Sequence, residues 1–341
     1  MTALGKYLSR GFSLTWLIIT ALLLWQGVAL AEKNLVVYSG RKEKAIRPVI
    51  QAFERNSGIK VRLKVGKTSG LANELLQERN NPRADIFIST VAGVTEILAG
   101  RGVLTPYVSP NASAVPDEYK SKPGFWTGIS GRARVIIYNK KLVNKEEAPK
   151  SVFDLTAPKW KKRIAIAGTR ERTTLAWVSS LVATKGRRFT KEFIRGLVAN
   201  EITILPDNTN VWRGVGKGEF ALGLTNSPNY HLARAAGYQV EVVYPDQDSG
   251  MIGTLVNPNV VAIVKGGKNF EAAKRFVDFI LSRKAQRLLV EQAYEMPLLP
   301  GAASGQVRAL GDLRQTKVAQ ERLAQLAEVS LALLAETSSN W

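Results

Sequence analysis

The chain has 341 residues, a formal charge of +20, no cysteine and one histidine. Disulfides, thiolate metal sites and cysteine nucleophiles are therefore excluded, and a single histidine leaves few options for a histidine-based zinc or acid–base cluster. The basic residues are spread along the chain without a run of five, which fits a basic solvated surface or an anionic ligand better than a nucleic-acid-binding stripe.

Residues 1–31 read as a cleavable secretory signal. Lys6 and Arg10 supply the charged start, Phe12 to Trp25 is nearly all apolar, and Ala29-Leu30-Ala31 is a small-x-small cleavage pattern. The apolar run is short of the ~20 residues a membrane span needs, so release into the periplasm is expected. The mature chain is long enough for two domains, and a large core makes disulfide staples unnecessary.

From residue 35 the pattern alternates strand and helix. Leu35–Tyr38 reads as a strand, Ser39-Gly40 as a tight turn, and Ala45, Ile46, Val49, Ile50 and Phe53 recur at helical spacing up to Ser57-Gly58. A strand feeding a helix through a small-residue turn offers backbone N–H groups to an anion. Lys60–Val65 alternates as a strand, a helix follows through Leu71, Leu75 and Leu76, and Ala84–Ser89 is a buried strand before a helix over Val94–Leu98. Near Phe125 the organisation changes. Gly131–Asn139 is a long apolar-centred strand, and Arg163–Ala167, a helix from Thr173 to Thr184, Ile202–Leu205, a helix around Trp212–Val215 and Phe220–Leu224 form a second set of units. Val240–Tyr244 and Asn259–Val264 are further strands, Phe270–Leu281 is a helix, and Leu313–Leu334 reads as one long amphipathic helix.

This pattern predicts an α/β protein of two lobes joined by two crossover strands. The first lobe spans 32–126 plus 253–290, and the second 127–252 plus 291–341 with the C-terminal helices. A ligand cleft is expected between them, at the carboxyl ends of the strands. No nucleophile elbow, metal cluster or paired acid motif is present, so an enzyme is not expected. Asp85 reads as a structural strand-end carboxylate.

Several segments together resemble the periplasmic substrate-binding proteins of ABC importers, specifically the ferric-iron-binding class. They are Val37-Tyr38-Ser39-Gly40-Arg41, Pro82–Phe87, Arg132–Asn139, Pro158-Lys159-Trp160-Lys161, Gly218-Glu219, Asn257–Ala262 and Glu295-Met296-Pro297-Leu298. The resemblance implies the type II, hinge-closing binding-protein fold and an inner-membrane ABC permease as partner; a monomer that binds no nucleic acid is expected. It also implies an anion-binding turn at Gly168, Thr169, Arg170, Arg172 and Thr173, with Asn208 and Asn226 lining the same pocket. Ser39, Gly40, Arg41, Lys42 and Thr90 would face it from the first lobe.

The family's iron ligands do not map. Ser227 and Pro228 stand where the class carries its tyrosine pair, Lys42 where it carries a histidine, Thr90 where some members carry a glutamate, and Thr173 near a further tyrosine. Tyr230 is close to the pair but displaced, a weak single candidate for a metal ligand, and His231 lies beside it. Hard Fe³⁺ requires several anionic oxygen ligands. The expected cargo is therefore a small anion, or iron as a chelate whose organic part supplies the oxygens. The alternatives are a protein that feeds a periplasmic sensor and direct Fe³⁺ binding through non-standard ligands.

Overall fold

The computed structural model describes residues 34–302, 305, 307–338 and 341. The secretory-signal segment lies outside the described residues. The first half runs β1 (Leu35–Ser39), α1 (Glu43–Ser57), β2 (Val61–Val65), α2 (Thr68–Gln77), β3 (Ile86–Ser89), α3 (Ala92–Gly100) and the short β4 (Leu104–Thr105). Strand β1 pairs in parallel with both β2 and β3, as consecutive βα units require. Helix α1 buries Ile46, Val49, Ile50 and Phe53, and left-handed Gly58 closes it.

The second half runs β5 (Thr127–Asn139), β6 (Ile164–Ala167), α4 (Arg172–Lys185), α5 (Arg187–Ala199), β7 (Thr203–Leu205), α6 (Asn208–Lys217), β8 (Leu222–Asn226), α7 (Ser227–Ala235) and β9 (Val240–Val243). Then follow β10 (Val256–Val264), α8 (Phe270–Ile280), α9 (Arg283–Ala293), α10 (Gln320–Gln325) and α11 (Ala327–Thr337). The strand order is β2-β1-β3-β10-β5-β8-β6-β7, with β4 on β10 and β9 on β5.

Strand β5 belongs to both halves. Its residues Thr127–Ala133 pair with β10, whereas Arg134–Tyr138 pair with β8 and Ile136–Asn139 with β9. The chain crosses back between β9 and β10. These are the two expected crossings, and each half has its own core. One is built around Phe53, Ile88, Ile129 and Phe276, the other around Ile136, Trp160, Trp177 and Leu224. Among the described residues no helix is long and apolar enough to cross a membrane.

Three details differ from the sequence reading. The sequence pattern assigns 291–341 to the second lobe, but Met296, Leu298, Leu299, Val307, Leu310 and Leu313 pack in the first core, and α9 lies on α1. The tail is two helices, α10 and α11, joined at Leu326. Leu323, Leu326 and Leu334 are buried in the second core, but Leu331 is exposed. Helix α5 was not expected at all, although Phe193, Ile194 and Leu197 give it a clear apolar stripe. Helix α10 packs against α3 of the first half and α4 of the second.

Asp85 is structural, as expected. It is buried and accepts bonds from the Val36 backbone at 2.8 Å, the Asn269 backbone at 2.9 Å and Asn269 Nδ2 at 2.9 Å, tying β1 to the start of α8. Asp85→Ala leaves the Val36 and Asn269 backbone N–H groups and the Asn269 amide without this acceptor. It is expected to cost about 2–4 kcal/mol in urea unfolding, with ligand affinity unchanged once the variant is folded.

Candidate ligand-binding site

Alternation along β5 puts Ser130, Arg132 and Arg134 on one face, while Ile129, Ala133 and Val135 face the first core. Same-face neighbours on a strand lie about 6.6 Å apart, so these three polar groups form a row that runs from one half of the protein into the other.

Arg134 is 1 % exposed. Its Nη1 donates to Asn208 Oδ1 at 3.0 Å and more weakly to Asn226 Oδ1 at 3.5 Å, its Nη2 donates to Thr174 Oγ1 at 3.1 Å, and its Nε has no partner. All these acceptors are neutral, and the nearest carboxylate that acts on Arg134, that of Glu171, makes no ion pair with it. Burial accordingly pulls the guanidinium well below its ordinary pKa, with Glu171 opposing.

The neighbours of Arg134 sit at three helix starts. Thr173 and Thr174 are in the first turn of α4, Asn208 opens α6, and Asn226 is the residue before α7. Thr173 Oγ1 accepts from both Asn208 Nδ2 and Asn226 Nδ2 at 3.4 Å. The first N–H groups of a helix have no partner inside it and carry its positive dipole end. Asp207 caps α6 by accepting from Asn210 N at 2.8 Å, whereas the starts of α4 and α7 carry no side-chain cap. Those two open ends beside a buried guanidinium make a positive spot that calls for an anion.

The first half contributes a second polar group. Arg41 is buried and donates from Nη1 to Glu295 Oε2 at 2.6 Å and to Ser130 Oγ at 3.3 Å. Ser130 Oγ in turn donates to Glu295 Oε2 at 2.6 Å and accepts from Asn259 Nδ2 at 2.8 Å. Arg132, half-buried, donates to the Thr90 carbonyl, and burial lowers its pKa.

The sequence candidates divide clearly. Thr173, Asn208 and Asn226 are brought together around Arg134, and the buried Arg41 side chain turns into the seam between the halves. Gly168 is buried at the turn before α4, and Thr169 beside it is half-buried. Arg170 and Arg172, expected to grip the anion, are both exposed. A surface position at the start of α4 leaves them in water, and the cations of the pocket come from β5 instead. Lys42 is also exposed.

The Ser39-Gly40 turn spends its groups within the protein. Gly40 N donates to the Ile88 carbonyl at 2.8 Å, and Arg41 N to Ser39 Oγ at 3.2 Å, so these N–H groups are not offered to a ligand as expected. A Cβ on Gly40 would lie 2.0 Å from Thr68 Oγ1, which explains the glycine. Thr68 Oγ1 lies 2.9 Å from Thr90 Oγ1, so Thr90 is tied to the same turn. Ser227 Oγ accepts from the Ala133 backbone at 3.2 Å and thereby joins α7 to β5.

Tyr230 points elsewhere. Its ring packs with Ile137, Trp212 and Val240, and its hydroxyl donates to Glu241 Oε1 at 2.8 Å. Burial and Glu241 raise its pKa, so it is held as a neutral phenol. Among the described residues no three His, Asp or Glu side chains gather as a metal site. Arg132, Arg134, Ser130, Asn257, Asn259 and Glu295 were not singled out from the sequence as site residues. The available signal was the i, i+2 spacing of Arg132 and Arg134 inside an apolar strand, which puts two cations on one buried face.

A two-lobed α/β protein with two crossing strands and a cation-rich seam between its halves has the architecture of a ligand-capturing binding protein. The chain belongs to the bacterial extracellular solute-binding protein family, whose family model matches residues 81–317. It is 30 % identical over 305 residues to "Iron uptake protein A1" of Synechocystis sp., covering 86 % of this chain and 83 % of that protein. The crystal structure of iron-bound HitA from Pseudomonas aeruginosa matches with a TM-score of 0.81 at 26 % identity, covering 89 % of this chain and 99 % of that one. The Trichodesmium protein IdiA (FutA), solved in complex with iron and citrate, matches with a TM-score of 0.80 at 26 % identity over 90 % and 99 % of the two chains. The fold is therefore that of the type II periplasmic binding proteins.

His231 stacks on Tyr294 at 5.2 Å between ring centroids, beside Tyr230, and its Nε2 has no partner. Burial, with Arg234 adding, lowers its pKa below 6.5. The unfolded chain therefore takes up this proton first as pH falls, so stability is lost through the folded-state pKa, below pH 6.5. His231→Phe is expected to flatten the fall of Tm as pH drops below about 6.5, measured by differential scanning fluorimetry.

Proposed function

We propose that this protein is the periplasmic solute-binding component of an ABC importer, and that it captures a small organic anion, alone or as the anionic part of an iron chelate. The observation that carries this reading is Arg134, a buried guanidinium with neutral partners at the meeting point of three helix starts. A bound oxyanion would pair with it and take up the free N–H groups of α4. The lobes then close over the anion, and the closed monomer docks on an inner-membrane permease. Family membership supports the importer role.

Bare Fe³⁺ does not suit this seam. Its polar lining is hydroxyl, amide and guanidinium, its carboxylate, Glu295, is committed to Arg41 and Ser130, the Tyr230 phenol is committed to Glu241, and buried cations repel a trivalent ion. An iron chelate is different, because its organic oxygens complete the metal and present negative charge outward. The solved relative with iron and citrate supports that form of cargo.

The test compares two changes. Arg134→Met removes an unpaired buried charge, so its own Tm is expected to hold or rise, while the stabilisation conferred by inorganic phosphate or citrate disappears. Arg170→Ala combined with Arg172→Ala is expected to keep that stabilisation within about twofold in Kd, as exposed charges screened by solvent contribute little. A full ligand shift retained in Arg134→Met would overturn the reading.

A further inference from the structure

The seam holds a second group of unsatisfied polar atoms, separate from the helix starts around Arg134. Asn257 is 0 % exposed, and both its Oδ1 and its Nδ2 lack a partner. It faces Arg132 across the β5–β10 ladder, two residues from the Asn259–Ser130 pair on the same face. Within this cluster Arg41 Nε, Arg41 Nη2, Arg132 Nε and Asn259 Oδ1 are unpartnered as well. Leaving a buried donor or acceptor unpaired costs roughly 1–3 kcal/mol, so a cluster of such atoms on one face is an expensive arrangement for a protein that only has to fold.

The chemistry of the cluster is specific. Arg41, Arg132 and Asn257 Nδ2 are donors, so they ask for an oxyanion. Asn257 Oδ1 and Asn259 Oδ1 are acceptors, which an oxyanion does not satisfy but a hydroxyl does. Glu295 pairs with Arg41 at 2.6 Å, whereas Arg132 meets only a carbonyl. One guanidinium is thus left without a carboxylate partner here, and a second, Arg134, about 6.6 Å further along the strand.

Resting on the anion-binding reading above, we propose that the ligand is a short hydroxy acid with two oxyanionic ends. One end lies at Arg134 and the start of α4, and the carboxylate and hydroxyl of the other end lie at Arg132, Asn257 and Arg41. The spacing suits an acid of about three to six carbons, free or as the organic part of a metal chelate. Because the two ends are held by opposite halves of the protein, a ligand with only one anionic group engages one lobe and closes the seam poorly.

The test is isothermal titration of the mature protein with malate, citrate, acetate and inorganic phosphate, repeated on Asn257→Asp and Asn257→Leu. The Asn257 side chain makes no hydrogen bond in the fold, so both variants are expected to melt at or above the wild-type temperature. In Asn257→Asp the new carboxylate pairs with Arg132 in the ligand's place. Malate or citrate is expected to bind wild type at least about tenfold more tightly than acetate and phosphate. Each variant is expected to weaken the two-ended acids about 10–100-fold, and phosphate by less than about twofold. If phosphate binds as tightly as the hydroxy acids, or both variants retain full affinity for them, the second subsite is overturned while the anion site at Arg134 stands. If no anion binds, and Arg134→Met behaves as wild type, the anion site and the inference fall together.

Discussion

The structure around the seam is organised by one requirement, that a guanidinium removed from water be surrounded by oxygens. Arg134 meets it with Asn208, Asn226 and Thr174, which belong to three different βα units. To deliver them, α4, α6 and α7 must all begin at the same point beside β5. Strands β6, β7 and β8 are parallel, and each feeds a helix whose start returns there. Neutral oxygens solvate the charge but do not neutralise it. The second lobe is thus folded around a cation whose counter-ion the chain does not supply.

Strand β5 turns this local requirement into a device that spans the protein. It pairs with β10 at one end and β8 at the other, so the polar row Ser130-Arg132-Arg134 lies on the strand through which the halves are joined. A ligand on that row touches the strand on which any hinge motion bears. Arg132 adds a direct tie, since its guanidinium reaches the Thr90 carbonyl at the end of β3. The contact of α10 with both α3 and α4 and the His231–Tyr294 stack also join elements from the two halves. Closing and opening must rearrange such contacts, and a charged ligand is well placed to bias which arrangement is favoured.

The same seam accounts for the departure from iron ligation. At the tyrosine-pair positions the chain has Ser227, whose hydroxyl is bound to the β5 backbone, and Pro228, which starts α7. Tyr230 is two residues further along the helix, and a helix turns through about 200° over two residues, so its ring leaves the seam for the core against Ile137. Displacement along a helix is thus enough to convert a would-be ligand into a packing residue.

Much of this protein is legible in its sequence. The apolar periodicities placed most strands and helices, and the βα alternation with two long extended runs implied two lobes and two crossings, because a strand's period of two and a helix's of 3.6 are written directly in residue order. The resemblance of Val37–Arg41 and Arg132–Asn139 to the ferric-binding class identified the family and led to Thr173, Asn208 and Asn226. What residue order does not carry is which polar groups are spent on the fold and which are left over. Arg170 and Arg172 looked like the anion's grip, yet solvent surrounds them. Ser39 and Gly40 looked free, yet Ile88 and Thr68 occupy them. Arg132 and Arg134 looked like part of an ordinary strand, and only the packing of helix starts contributed by residues 173–226 against β5 left Arg134 buried and in need of an anion, while Arg132 reaches the Thr90 carbonyl. Glu295 reaches Arg41 across 254 positions of chain. The sequence by itself determined the elements and the family, since both are recorded in local pattern. The tertiary structure decided the site, since burial and hydrogen-bond satisfaction depend on which distant segments close over each side chain.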